Sequence, residues 1–149
     1  MASLRPALLV LVFCVGCTPK PDEVEDLNTQ VITLPAGGQI RAQVVLTQGE
    51  MESGMKFRDA LPQGRGMLFV YRNPAPYVYW MSNVKVPLDI IFMDSSHRIV
   101  EIAAGAPPCN KKPADCPVYG GHTNEQFVLE LRAGEAQRLG VQQGQILTF

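Results

Sequence analysis

Four polar residues combine charged or hydrogen-bonding side chains with positions that would let them build a site: Asp89, Glu130, Arg58 and Asn83. Asp89 lies in a strongly apolar stretch, where a carboxylate must be paired, hydrogen-bonded or held at the solvated rim of a sheet. We expect its partner to be Asn83, Lys85 or Arg58. Two carboxylates perform general acid–base catalysis when their environments separate their pKa values. Asp89 and Glu130 are therefore the candidate catalytic residues, and the structural alternative is that Asp89 fixes the adjacent bend of the chain.

A group of aromatic residues lies immediately before that bend. Aromatic side chains on adjacent strands most often pack in a core. If they are exposed beside polar groups, they instead form a stacking surface for a sugar or a peptide. The predicted binding residues are Arg58, Tyr77, Tyr79, Trp80, Asn83 and Asp89. The sequence has no G-x-S-x-G, H-E-x-x-H or phosphate-loop motif, so it does not indicate a familiar hydrolase or nucleotide-binding enzyme.

Alternating side chains predict the strands that position these residues. Residues 88, 90 and 92 share one face of the most apolar strand, and residues 89, 91 and 93 share the other. In the stretch 126–132, odd-numbered residues are expected to face inward, and Val128, Glu130 and Arg132 outward. The sequence predicts a long loop over residues 105–123 and a last strand over residues 145–149. About eight short strands and two short helices predict a mainly β fold over residues 30–149, either a single antiparallel sandwich or a partly open barrel.

The N-terminal segment predicts export. Residues 1–16 have a positive start, an apolar run and a small final residue, which is the layout of a secretory signal. The stretch 14–17, Cys-Val-Gly-Cys, is similar to a bacterial lipoprotein signal, so Cys17 is the predicted lipidation site; the alternative is a plain signal peptide cleaved nearby. Residues 18–29 are rich in Pro and acids and predict a flexible tether. Thr18, by resemblance to lipoprotein sorting, favours an outer-membrane lipoprotein that faces the periplasm.

The cysteines and methionines raise the question of a metal. In an exported chain Cys109 and Cys116 are predicted to form a disulfide. The alternative is a redox or metal site with His122, but C-x6-C is not a C-x-x-C spacing and one His does not complete a zinc set. Methionine sulfur suits Cu(I), and Met51 and Met55 are the pair to consider, although Met more often fills core gaps. We predict no cofactor and no metal site.

Composition limits the partners further. The chain has 149 residues, 46% of them hydrophobic, and a formal net charge of −1. This size predicts one domain with a substantial core. A nearly neutral chain without a basic run offers no electrostatic surface for nucleic acid, so we predict no nucleic-acid partner.

Five motifs, in this order, carry a resemblance to a known family. They are FRDALP at residues 57–62, GMLFVY at 66–71, WMSNVKVPLDIIFMD at 80–94, CPVYG at 116–120 and VLELRAGEAQRLGVQQGQ at 128–145. Over roughly residues 31–149 the chain resembles the family called Domain of Unknown Function 192, which is found in bacteria and archaea. The resemblance implies a mostly β fold, often with an export signal, and no established activity.

Three functional hypotheses follow. The first is a membrane-anchored binding or accessory module of the cell envelope, whose ligand is a glycan, a peptide or a protein. The second is a small envelope hydrolase with Asp89 or Glu130 as acid or base. The third is a metal-handling protein that uses methionines, or His122 with reduced cysteines.

Overall fold

The computed structural model describes residues 28–149; the predicted signal at 1–16, Cys17 and most of the tether lie outside the described residues. The described chain contains eight strands, two α-helices and one 3-10 turn at Pro113–Asp115. The strands are β1 Thr29–Thr33, β2 Gln39–Val45, β3 Arg65–Ala75, β4 Val78–Trp80, β5 Leu88–Met93, β6 Ile99–Ala106, β7 Val118–Gly120 and β8 Glu125–Arg132. The helices are α1 Gln48–Ser53 and α2 Glu135–Arg138. None of the helices within residues 28–149 has the length and apolar composition needed to cross a membrane.

Six strands form one sheet in the order β1-β2-β3-β8-β5-β6, and β4 pairs with β7 in a second, two-stranded sheet. The predicted mainly β class, with eight strands and two short helices, is confirmed. Within residues 28–149 the strands form an open, sandwich-like arrangement and do not close into a barrel. One pairing departs from the predicted antiparallel order, because β2 and β3 run parallel. A parallel pair needs a crossover rather than a tight turn, and α1 lies in that crossover.

Both faces of the large sheet are buried. Alternation along β5 sends Ile91 and Met93 into one apolar cluster and Leu88, Ile90 and Phe92 into another, as predicted. The first cluster, which we call the α2-side core, includes Ala136 of α2. The second, the cavity-side core, lies between the large sheet and the segment around α1, β4 and β7. A strand in the middle of this sheet therefore has no solvent face.

Two sequence predictions about the end of the chain are wrong. Residues 145–149 form isolated bridges to Thr33 and Arg98 rather than a strand, because short contacts to two separate segments do not extend into a ladder. The stretch 105–123 is not structureless, since β6 continues to Ala106 and the stretch also contains the 3-10 turn and β7.

Candidate functional site

Asp89 is a buried structural carboxylate. Its side chain is 1% exposed. Its Oδ1 accepts a hydrogen bond from the Gly105 backbone N–H at 2.8 Å, and its Oδ2 accepts one from the Ala136 N–H at 2.9 Å. Ala136 lies in the first turn of α2, so this carboxylate satisfies a helix-end donor and joins α2 to the sheet.

The expected partners of Asp89 were wrong. Lys85 Nζ instead pairs with Asp59 Oδ1 at 2.7 Å, and Arg58 Nη2 donates to Gln43 Oε1 at 2.9 Å. The reason is the alternation of β5, which directs Asp89 to the α2-side core. Backbone N–H donors satisfy the Asp89 carboxylate there, so Asp89 has the structural role and does not lie on an exposed binding surface.

Glu130 is buried on the opposite face of the same sheet. In the register of β5 and β8, Asp89 pairs with Leu131 and Ile90 with Glu130, so the two acids lie on opposite faces and cannot act as a catalytic pair. The predicted outward orientation of Glu130 is wrong, since its side chain is 5% exposed. β8 lies between β3 and β5, and both of its faces are covered.

Glu130 is also electrostatically unusual. Among residues 28–149, its Oε2 is buried without a hydrogen-bond partner. Burial removes water from the charged form and raises the pKa of Glu130 from 4.5 to about 8, although the positive charge of Arg58 opposes part of this rise. The carboxyl is therefore mostly protonated at neutral pH. A buried acid with such a pKa in a cavity marks a candidate functional site.

Glu130 lines a cavity of about 300 Å³ between β8, α1 and β4, which we call the Glu130 cavity. Its walls include six aromatic and thioether side chains, those of Met51, Met55, Phe69, Tyr71, Tyr79 and Trp80. Trp80 is 43% exposed and lies toward solvent, whereas Glu130 and Met55 are buried. The Lys56 Nζ lies 6.0 Å from the centroid of the Trp80 ring. Concave, largely apolar sites with a few polar groups are the usual form of small-molecule sites.

The predicted aromatic residues divide between the cavity and its support. Tyr79 lines the cavity, and its hydroxyl is 2.8 Å from that of Tyr71. Burial raises the pKa of Tyr79 well above its usual value. Tyr77 stacks on Tyr71 with ring centroids 3.5 Å apart, and its backbone N–H donates to Glu125 Oε1 at 2.9 Å. Tyr77 thus holds a wall residue in place without lining the cavity itself.

Arg58 and Asn83 lie beside the cavity. Arg58 lines a neighbouring hollow of about 280 Å³, which shares Ser53 and Gly54 with the Glu130 cavity. Asn83 is exposed, has a left-handed backbone with φ of 61°, and accepts a hydrogen bond from the Phe57 N–H through its carbonyl oxygen. The predicted binding set is therefore brought together in part, with Tyr79 and Trp80 at the cavity, Arg58 and Asn83 next to it, and Asp89 on the other side of the sheet.

The Cys109–Cys116 disulfide is confirmed, with an S–S distance of 2.10 Å. It closes the loop between β6 and β7. The Cys109 N–H donates to the Met81 carbonyl at 3.1 Å, which attaches this loop to the chain just after β4. The disulfide therefore helps to hold the strand that carries Tyr79 and Trp80.

The metal hypothesis loses its cysteine ligands to this disulfide. His122 lies at the surface, where its Nδ1 is 2.9 Å from Glu101 Oε2. Within residues 28–149 no group of three His, Cys, Asp or Glu side chains is arranged to hold a metal ion. Met51 and Met55 both line the Glu130 cavity, where they contribute apolar, polarizable surface.

Sequence reasoning missed several residues of the site. Lys56, Phe69 and Tyr71 line the cavity and were not among the predicted binding residues. Glu125, which is buried and anchors Tyr77, had no signal because its main partners are backbone N–H groups. The pattern of Tyr71, Tyr77 and Tyr79 around a Pro-containing turn was the one signal that could have placed these rings together.

Comparisons with known proteins place the chain among proteins without an assigned reaction. The family model DUF192, described as Uncharacterized ACR, matches residues 31–149. A protein of unknown function from Novosphingobium aromaticivorans is 31% identical, with a TM-score of 0.74, and the match covers 85% of this chain and 89% of that one. A protein from Sinorhizobium meliloti, described as a candidate transcription regulator, is 28% identical, with a TM-score of 0.70 and coverage of 79% and 89%. None of the curated proteins compared with the chain matches it.

Proposed function

The chain belongs to the DUF192 family, and we propose that it is a binding module of the bacterial cell envelope that holds a small ligand in the Glu130 cavity. One observation carries this proposal. The buried Glu130 carboxyl, whose Oε2 lacks a hydrogen-bond partner among the described residues, lines a cavity with aromatic walls, and one of these walls, Trp80, is exposed to solvent. A buried polar group without a partner lowers stability unless a ligand completes its hydrogen bonding.

The shape of the cavity supports a small ligand rather than a broad protein interface. Its volume of about 300 Å³ is at the lower end of the range for small-molecule sites. The ring of Trp80 provides a stacking surface at the mouth, and Tyr71 and Tyr79, whose hydroxyls lie 2.8 Å apart, also line the cavity. The ligand is thus a compact molecule with an apolar face and at least one polar group that reaches Glu130.

The test is a thermal-shift screen of small glycans, peptides and organic ions against the full chain in mild detergent. A ligand that binds the folded state raises Tm. The shift is expected to disappear in Trp80→Ala and Glu130→Gln and to persist in Val118→Ala, a matched control. Val118 is an exposed cross-strand neighbour of Trp80 that does not line the cavity. Shifts that survive both cavity substitutions, or no shift with any compound, would overturn the proposal.

The location in the envelope is part of the same proposal. The signal-like segment 1–16, Cys17 as the lipidated residue and the polar tether at 18–29 support a lipoprotein of the outer membrane that faces the periplasm. The disulfide supports export, since such bonds persist mainly in oxidising compartments. Incorporation of labelled palmitate and membrane association are expected in the parent chain and not in Cys17→Ser. Unlabelled parent protein in the soluble fraction would refute the anchor.

A second candidate function is a small envelope hydrolase with Glu130 alone as general acid or base. The observation that favours it is the pKa near 8, which suits proton transfer at neutral pH. Binding is the better supported function, because the second predicted acid, Asp89, faces away from the cavity. Turnover of a bound compound that Glu130→Gln abolishes without loss of binding would favour the enzyme.

A further inference from the structure

Among the described residues, the Glu130 carboxyl forms no ion pair. No ion pair shorter than 4.0 Å joins Glu130 to a basic side chain in the part of the chain that the structure describes; the ion pairs there involve other acids. Arg58 acts on it only through space, since its Nη2 is bound to Gln43 Oε1 at 2.9 Å in the neighbouring hollow. No basic side chain of the described residues therefore pairs directly with the Glu130 carboxylate, and a direct partner would come from an incoming group.

The walls of the cavity suit a positive group better than a negative one. The faces of aromatic rings carry partial negative charge and attract cations, most strongly when water is excluded. Four aromatic side chains line the cavity, and the sulfur atoms of Met51 and Met55 add polarizable surface. The position of Lys56, with Nζ 6.0 Å from the Trp80 ring centroid, shows that an ammonium group already lies near one of these rings at the mouth.

At position 130 a carboxyl has an advantage over a neutral amide only if its negative charge takes part in binding. A neutral donor or acceptor at this position could be supplied by Gln, which has nearly the same shape and carries no ionisation penalty. A carboxyl differs from Gln in that it becomes negative when a cation arrives. Buried charges exist in proteins when they are paired, and here the described chain leaves the partner to be supplied from outside.

We propose that the Glu130 cavity binds an organic ammonium ion, with the charged head against the Glu130 carboxylate and its apolar substituents against the aromatic and thioether walls. This inference rests on the proposed binding function and names the ligand class. A group of the size of trimethylammonium is small enough for a cavity of about 300 Å³.

Binding of such an ion is coupled to proton release. The carboxyl is mostly protonated at neutral pH, and a cation binds its ionised form, so the bound proton leaves to solvent. Arg58 is the nearby cation whose positive charge lowers the pKa of Glu130. The charged and titratable groups that line the cavity with Glu130 are Glu52, Lys56, Tyr71 and Tyr79. Burial raises the pKa of both tyrosines, so they remain neutral.

The experiment is calorimetric titration of the full chain in detergent with two probes of nearly identical shape, choline and its neutral isostere 3,3-dimethyl-1-butanol. Choline is expected to bind at least about tenfold more tightly than the alcohol. Its affinity is expected to rise about tenfold per pH unit between pH 5 and pH 7, with about one proton released, as heats in two buffers would report. Glu130→Gln is expected to abolish both the preference and the proton release.

Lys56 supplies a second, independent readout. Lys56→Gln removes a competing positive charge at the mouth and is expected to strengthen choline binding two- to tenfold. An anionic ligand would respond in the opposite direction. Equal affinity for the two probes, no binding of choline, or choline affinity that falls as pH rises would overturn the ammonium class. If a neutral or anionic compound from the thermal-shift screen still requires Trp80 and Glu130, the binding function stands and only the ligand class fails.

Discussion

Replacing Glu130 by Gln is expected to stabilise the folded protein, and the gain is expected to depend on pH. The folded-state pKa of Glu130 is about 8, compared with 4.5 for an unperturbed carboxyl. Below about pH 4.5 both the folded and the unfolded chain are protonated at this residue, so it has no ionisation penalty. As pH rises, the unfolded chain loses the proton first, and the free energy of unfolding of the parent falls until the folded chain also ionises.

The size of the effect follows from the two pKa values. Each unit of difference corresponds to about 1.4 kcal/mol, so the penalty grows to about 3 kcal/mol at pH 7 and levels off near about 5 kcal/mol above pH 8. Glu130→Gln does not titrate and avoids this penalty. The difference in stability between the variant and the parent is therefore expected to be small near pH 4 and to increase to these values. The stability difference that remains near pH 4 measures the effects of the substitution other than ionisation, such as the burial of an amide group.

Urea denaturation with linear extrapolation at several pH values measures this difference directly. Glu52→Gln is the matched control, because Glu52 is an exposed carboxylate that also lines the cavity. Its effect is expected to stay within about 0.5 kcal/mol throughout. A Glu130→Gln difference that is the same at pH 4 and pH 8 would refute the reasoning, because it would mean that Glu130 ionises as easily in the folded chain as in the unfolded one.

Three further substitutions test the fold around the site. Asp89→Asn is expected to lower the free energy of unfolding by about 2 kcal/mol, since an amide NH2 would face a backbone donor; an unchanged urea midpoint would contradict the structural role. Replacing Cys109 and Cys116 by Ala is expected to cost about 2 kcal/mol, the chain-entropy value for so short a loop, and reductant should then destabilise only the parent. Gly120→Ala is expected to cost more than about 2 kcal/mol, because the new Cβ would overlap a Phe92 ring carbon and the φ of residue 120 is +76°; a native Tm would contradict this.

Strand content and the need to satisfy Asp89 were predictable from the sequence, whereas the partners of Asp89 were not. Alternation correctly placed Asp89 among apolar side chains, and physical chemistry required hydrogen bonds there. Its donors, however, are the backbone N–H groups of Gly105 and Ala136, which are 16 and 47 positions away. Backbone donors carry no signal in residue type, so a search among polar side chains led to the wrong partners.

The prediction that Glu130 faces outward failed for a different reason. The alternation in β8 was read correctly, but the prediction assumed that one face of this strand meets solvent. The order of strands decides that question, and β8 lies between β3 and β5 with covered faces on both sides. Strand order depends on long-range pairing, including the parallel pairing of β2 and β3 through α1, and local patterns do not encode it.

The other buried acids show that the unpartnered state of Glu130 is particular to the cavity. Asp89 accepts two backbone hydrogen bonds, and Glu125 accepts bonds from the Tyr77 N–H and the Thr123 hydroxyl. Glu135 pairs with the Arg138 guanidinium, and this contact lowers the pKa of Glu135. The buried carboxylates that lie away from the cavity are thus all surrounded by hydrogen-bond donors. If poor packing were the cause, an unpartnered carboxylate oxygen could occur at any of these four acids. A ligand site instead requires the unpartnered oxygen to lie at the cavity, and Glu130 is the acid that lies there.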